Sequence, residues 1–258
     1  MLNLLKELLT VGFQFWWPVD LRYHTLTNGD WRVEVILGSI LTQNTKWEIV
    51  EKVINKMKEN KFVFNLDYIK KISEEMLINF IKSIPFNLSK ARRIKNLVNY
   101  ISENYKDLDS FFSLDIYGLR KELLSIKGIG KETADVIILY ASEKPIFVVD
   151  SYTRRFLFEN NIISRINEEY DKIRIIIEKF VESNFNTIFQ EFYNELIKIN
   201  CKEMLKFSFN YDGNIKIKPP LSVCDLKKEL SYENKLTIIY KELHAMIDIY
   251  MKRNKNKK

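Results

Sequence analysis

Apolar positions recur at intervals of three and four along most of this chain, and that spacing predicts helices. Leu2, Leu5, Leu8 and Leu9 form one stripe of a short amphipathic helix over residues 2–12. Pro18 ends any helix there. The pattern resumes from Trp31 to Met57, broken by the polar "TQNTK" at 42–46. It returns over 74–82, 89–103, 116–126, 131–142, 168–182 and 185–200, with short polar connections. A last helix is expected near 224–252. About ten helices follow from this periodicity, with no internal repeat and no long linker. One stretch alternates with period two instead. In "KFSFNYDGNIKIK", Phe207, Phe209 and Tyr211, then Ile215 and Ile217, flank Asp212-Gly213. Asp-Gly between alternating apolar residues predicts a β-hairpin over 207–218, ended by Pro219 and Pro220. The expected fold class is all-α with one small β-hairpin.

Charge adds a class of partner. Lysine and arginine number 41 against 34 acidic residues, a formal charge of +7. That excess favours an anionic partner, nucleic acid first, although an AT-rich genome also enriches lysine. No apolar run approaches the roughly twenty residues of a membrane span. The apolar N-terminus carries Lys6 and Glu7 and lacks a basic leader and cleavage site, so no signal peptide and no membrane partner are expected. Two cysteines, Cys201 and Cys224, are too few for a disulfide scaffold or a four-cysteine metal site, and they fit a reducing, cytoplasmic setting. His24 and His244 are too far apart and too unaccompanied to argue for a metal.

Candidate chemistry concentrates in a few places. "LLSIKGIGKETADVIILYASEKPIFVVD", Leu123 to Asp150, sets Gly128 and Gly130 in a tight turn between two helices, flanked by Lys127 and Lys131. Turn amides, glycines that permit close approach and flanking lysines suit a nucleic-acid phosphate. A plain helix–helix turn with a glycine cap accounts for the same residues. Asp150 closes the apolar run Ile146–Val149 and precedes "SYTRRFL". It is a helix N-cap, or a partly buried carboxylate held to stabilise positive charge, and one side chain can serve both. "GFQFWWPVD" groups Phe13, Phe15, Trp16 and Trp17 ahead of Pro18, with Tyr23 soon after. Such rings anchor a segment to its core, or form a wall on which an extruded base stacks. From Lys82 to Lys95 the chain carries Lys82, Lys90, Arg92, Arg93 and Lys95 without an acid. That run is a solvated face or a support for a phosphate backbone.

"IKGIGKETADVIILYASEKPIFVVDSYTRRFL" resembles the helix–hairpin–helix–Gly/Pro–Asp signature of the endonuclease III superfamily of DNA glycosylases. "ILTQNTKWEIV" and "IPFNLSKARRIKNLV" are similar to two further segments of that family, in the same order, so the likeness covers residues 30–200. The resemblance implies two helical lobes: a barrel-like domain over 30–140, and a second built from 1–29 and 141–258, with double-stranded DNA across the mouth between them. It implies that Asp150 is the catalytic aspartate, which stabilises an oxocarbenium-like sugar and positions water. Gln43 would fill the gap left by a flipped nucleotide, with Asn44 lining the pocket. Lys127, Gly128, Gly130 and Lys131 would hold phosphate.

Bifunctional members carry a nucleophilic lysine two residues after the second hairpin glycine. That position is Glu132 here. Lys131 precedes it, about 100° away around the helix. A monofunctional DNA N-glycosylase without an efficient lyase step is therefore expected. The competing possibility is a turn that presents Lys131 as the nucleophile. Many members also hold an iron–sulfur cluster on four cysteines, which two cannot supply. No iron–sulfur cluster and no other cofactor is expected, and the hairpin over 207–218 would supply the lost packing. Trp16-Trp17-Pro18, Glu132 and the scarcity of cysteine together resemble the 3-methyladenine DNA glycosylase branch. That branch implies an alkylated, cationic purine stacked on Phe13, Trp16, Trp17 or Tyr23, a contact of about 0.5–2 kcal/mol. Alternatives are a bifunctional glycosylase/lyase for oxidised bases and a DNA-binding module that has lost catalysis. The expected partner is double-stranded DNA containing damaged bases, met by a monomer in the cytoplasm near the nucleoid.

Overall fold

A computed structural model describes residues 1–211, 213 and 215–255. Along the chain run α1 (Leu2–Leu9), α2 (Leu21–Thr27), α3 (Trp31–Leu41), α4 (Trp47–Glu59), α5 (Leu66–Lys71), α6 (Glu74–Phe80), α7 (Asn87–Asn104) and α8 (Leu108–Phe112). Then follow α9 (Ile116–Ser125), α10 (Lys131–Val136, continuing as a π-turn over Ile137–Ala141), α11 (Ser151–Glu159), α12 (Tyr170–Ser183), α13 (Phe185–Leu196), α14 (Cys201–Phe209) and α15 (Tyr232–Lys255). A 3-10 turn at Val223–Lys227 precedes α15, so the last helix starts later than the periodicity implied. The fold is all-helical, and among the described residues no strand forms. No helix among them is long and apolar enough to cross a membrane.

The expected hairpin is the main correction to the secondary structure. Its first arm is the end of α14, and residues 215–220 carry no strand. Asp212 and Asn214, on the expected turn, lie outside the described residues. Alternation misled because only one of the three rings is fully used: Phe209 is fully buried while Phe207 is 88% exposed and Tyr211 is half-buried. An isolated two-stranded hairpin is marginal in water, whereas a helix satisfies its own backbone.

The chain divides into two compact units. One comprises Val19–Ser142 with Phe209–Pro219. At its centre α3 is buried at every position from Val33 to Leu41 and packs against α7, α4 and the π-turn. Each fully buried Val, Ile or Leu there contributes about 1.5–3 kcal/mol. Short polar side chains set the helix starts: Asp20, Asp30, Asn65, Ser73, Asp107 and Asp115 each accept from an amide of the first turn. The buried carboxylate of Glu34 is paired twice, with His24 Nε2 at 2.7 Å and Lys58 Nζ at 2.8 Å.

The other unit comprises Met1–Pro18, Glu143–Ser208 and Pro220–Lys258. Its axis is α15, buried without a break from Leu236 to Asp248, with α1 and α11 packed on it. A helix buried all round must satisfy its polar side chains internally. Lys241 Nζ does so on Glu143 Oε1 (2.8 Å) and the Leu221 carbonyl (3.2 Å). Cys201 and Cys224 are joined in a disulfide, with Cα atoms 5.8 Å apart. This corrects the expectation of two free thiols. Twenty-three residues of separation conceal that α14 begins beside the 3-10 turn.

Candidate functional site

In the unit built on α3, the glycine turn joins α9 to α10. Ile126 and Ile129 point inward and are 5% exposed, which anchors the turn. Lys127, Gly128, Gly130 and Lys131 are exposed. The two glycines differ in what they permit. Gly128 has φ +99°, and a Cβ there would lie 2.4 Å from Arg93 Cγ. Gly130 has φ −97°, and an added Cβ would meet nothing within 4 Å. Gly128→Ala is therefore expected to destabilise this unit by about 1–3 kcal/mol, from left-handed strain and displacement of Arg93. Gly130→Ala should leave the urea midpoint nearly unchanged. Equal midpoints for the two variants would show that the close approach to Arg93 does not matter.

Arg93 links this turn to the "TQNTK" break. Its guanidinium donates to Gln43 Oε1, and Gln43 Nε2 donates to Thr133 Oγ1 at 2.8 Å. Gln43 thus sits between α7 and α10 with both ends of its amide engaged. Asn44 follows it, exposed, at φ +51°. The break itself is held from below by Lys90, which is 1% exposed. Lys90 Nζ donates to the Leu41 carbonyl at 2.9 Å and to Thr45 Oγ1 at 2.7 Å. Burial, aided by the Arg93 charge, lowers its pKa to about 8. Lys95 also turns inward, donating to the carbonyls of Ile69 (2.6 Å), Lys70 (3.2 Å) and Ile72 at the end of α5. Neither lysine belongs to a solvated face or a phosphate-binding patch, which corrects that reading for Lys90 and Lys95. At the start of α7, Phe86 stands 72% exposed at φ +59°. The sequence reading passed over it, although an aromatic in the polar loop "SIPFNLSK" was the available signal. Glu132 and Lys131 are both exposed on the first turn of α10.

Tyr23 also lies in this unit. Its hydroxyl donates to the Phe62 carbonyl at 2.9 Å, and its ring packs edge-on against His24 and Phe64. Its polar end is committed to that cluster.

In the α15 unit, Asp150 is the N-cap of α11, with Oδ1 accepting from the Thr153 amide at 2.7 Å. The chain leading to it is buried from Ile146 to Val149. Its amides are bonded by Glu178 Oε1 at Phe147 (2.9 Å) and by the Tyr170 hydroxyl at Val149 (3.2 Å). Asp150 Oδ2 lies 3.8 Å from His244 Nε2, and the carboxylate is one-fifth exposed. Burial opposes its ionisation, but the His244 ring and the Thr153 amide outweigh burial and hold its pKa below the usual carboxylate range. Asp150 is thus a fixed anion with one oxygen used as a cap.

The aromatic segment meets this carboxylate through Trp16. Its ring is half-buried and lies edge-on to His244, with centroids 6.0 Å apart. Trp17 is buried, and Phe13 packs on Phe192 at 5.4 Å. Just before Trp16, Phe15 is buried at φ +54°, a conformation that bulky residues adopt only when held. Glu242 on α15 holds it, accepting from the amides of Gln14 (2.6 Å) and Phe15 (2.9 Å). Desolvation raises the Glu242 pKa to about 7 against those two amides. His244 and Glu242 were both missed as site residues, because inside "KELHAMIDIY" they read as interruptions of a core stripe.

The family profile of HhH-GPD superfamily base excision DNA repair proteins matches residues 37–183, more than half of the chain. The chain belongs to that superfamily. A Methanocaldococcus jannaschii protein, named provisionally as a DNA repair glycosylase, is 39% identical over 197 residues, covering 76% of this chain and 83% of that protein. The structure of an H. pylori 3-methyladenine DNA glycosylase bound to 1,N6-ethenoadenine superposes with a TM-score of 0.65 at 26% identity, covering 98% of this chain and 97% of that one. An endonuclease III in a non-covalent DNA complex shares the fold, with a TM-score of 0.53 at 18% identity over 69% of this chain and 74% of that one. As an HhH-GPD protein, the chain is a DNA glycosylase. A four-thiolate iron–sulfur cluster does not fit the donors of this chain, which has two cysteines bonded to each other.

Proposed function

We propose that this HhH-GPD chain is a monofunctional glycosylase for alkylated purines, 3-methyladenine foremost, acting as a monomer on double-stranded DNA. The observation that carries the reading is Asp150, a carboxylate held ionised and linked through His244 to the half-buried ring of Trp16. The extruded base stacks on the half-buried Trp16, with Phe13 and the buried Trp17 packing the segment that carries it. A base methylated at N3 carries positive charge and leaves as a neutral purine, taking the electrons of the N-glycosidic bond. Positive charge builds on the sugar, and Asp150 stabilises it. Water adds to C1′ and gives its proton to the carboxylate or to solvent. Lys127, Gly128, Gly130 and Lys131 hold phosphate, and Gln43 fills the vacated stack after releasing Arg93 and Thr133. Similarity to the H. pylori enzyme along almost its whole length supports the substrate class. Glu132 at the family's lysine position supports hydrolysis without strand cleavage.

The test is chromatography of bases released from methylated duplex DNA, with borohydride trapping in parallel. Release of 3-methyladenine with no protein–DNA adduct is expected. An adduct would return Lys131 as a nucleophile. Release of oxidised bases alone would replace the substrate class.

A further inference from the structure

Asp150 has two oxygens, and the fold uses only one of them structurally. Oδ1 caps α11 on the Thr153 amide, while Oδ2 faces His244. His244 is 5% exposed and wedged among aromatic rings, with Trp16 edge-on at 6.0 Å and Phe147 edge-on at 6.4 Å. It is therefore the side chain in contact with both the carboxylate and the half-buried tryptophan. We propose that His244 is a positioning residue of this glycosylase: its Nε2–H holds Oδ2 of Asp150 while its ring edge holds Trp16. One side chain of the C-terminal helix then sets the charge-stabilising group and the stacking surface relative to each other. The inference rests on the role given to Asp150 above.

The distance of 3.8 Å is within ion-pair reach and longer than a hydrogen bond. Contacts of this kind are commonly long in the free enzyme and tighten when substrate binds. The surroundings favour a donor at this place. One turn further along α15, Asp248 is 4% exposed and pairs with Lys252 Nζ at 2.7 Å. Burial raises the Asp248 pKa, and the Asp150 charge adds to that rise, so two carboxylates share this face of α15. Several ionisable groups of the packing elements are engaged elsewhere: Glu242 with the Gln14 and Phe15 amides, Lys241 with Glu143, Glu7 of α1 with Tyr250, Asp225 of the 3-10 turn with Ser222 and Lys228, and on α11 Arg154 with the Glu168 carbonyl and Arg155 with Glu159. Among the described residues, the ionisable side chain within ion-pair reach of Oδ2 is His244.

Three variants separate positioning from packing. His244→Phe keeps a ring against Trp16 and removes the donor. His244→Leu removes both ring and donor. His244→Gln keeps an N–H at similar reach. We expect single-turnover base release to fall about ten- to a hundredfold in His244→Phe and His244→Leu, with affinity for uncleavable abasic-site DNA and the melting temperature nearly unchanged. His244→Gln should recover part of the rate. Carbon NMR titration of the Asp150 carboxyl, which needs no substrate, should show its pKa raised in His244→Phe and lowered again in His244→Gln. Wild-type rates in all three variants, or rates that fall only with DNA affinity and melting temperature, would overturn the proposal. So would an Asp150 titration insensitive to His244. A titration that responds in a wild-type protein releasing no base would leave the contact standing and remove the glycosylase reading of Asp150.

Discussion

Asp150→Asn is expected to abolish base release without unfolding the protein. The two roles of this residue separate cleanly in that substitution. Asparagine caps a helix about as well as aspartate, so the Thr153 amide keeps a partner and α11 keeps its first turn. What disappears is the negative charge beside the sugar. Removing one preorganised electrostatic group costs about 10²–10³ in rate, or about 3–4 kcal/mol of barrier. Single-turnover release from methylated DNA should fall by at least that factor, with an unchanged circular dichroism melt. Asp150→Ala should lose the same activity and about 1 kcal/mol of stability besides, because the cap goes with the charge. An asparagine variant that still released base at the wild-type rate would reduce Asp150 to a cap. The pH dependence follows from the same contacts. The folded-state pKa of Asp150 is depressed, so its stabilising interactions are complete above its unfolded value. They are lost only as pH falls through the lower folded value. Asp150 should therefore impose no acid limb on the rate anywhere near neutral pH.

What could be read from the sequence was what is local along it. The glycine turn, Glu132 and the capping position of Asp150 each lie within one short motif, where a few neighbours decide backbone conformation. Helix periodicity located α3, α7, α12 and α13 for the same reason. His244 was invisible because the contact that gives it meaning crosses from α15 to the N-terminus of α11, and in its own helix it looks like a polar interruption of a core. Glu242 was hidden in the same way, since its partners are backbone amides at the other end of the chain. The disulfide was missed because pairing depends on which turns fold together, which spacing does not encode. The expected hairpin failed for the opposite reason. Its local signal was real, but alternation over a few residues does not say whether a second sheet partner exists to stabilise the strands.

The basic run on α7 gives the other large expected effect. Read as sequence, Lys82 to Lys95 is a patch of charge. In the fold, Lys90 is a buried donor that closes the end of α3 through the Leu41 carbonyl and fixes Thr45, on the turn that carries Gln43 and Asn44. Lys90→Met keeps the apolar stem and removes the N–H groups. A buried carbonyl or hydroxyl left without its donor costs about 1–3 kcal/mol, and that is the expected loss in urea unfolding near neutral pH. The sign of the pH effect discriminates further. The folded pKa of Lys90 is lowered from 10.5 to about 8, so between those values the unfolded chain binds a proton that the folded chain does not. Wild-type stability gains from this group as pH rises through that window, because a neutral amine still donates its hydrogens without a buried charge. The gap between wild type and Lys90→Met should therefore widen from pH 8 to 10.5. A gap that narrows would mean that the charge itself, and not the donor, is what the turn requires. Loss of the Lys90 contacts should also loosen the Gln43 turn. The same variant is then expected to bind an abasic-site duplex more weakly than Arg92→Ala does, although Arg92 is 70% exposed beside Glu74 and is the residue a charge-patch reading would have chosen. Stability and DNA affinity that fall together in Lys90→Met, and in neither respect in Arg92→Ala, would place the function of this run in the architecture of the turn.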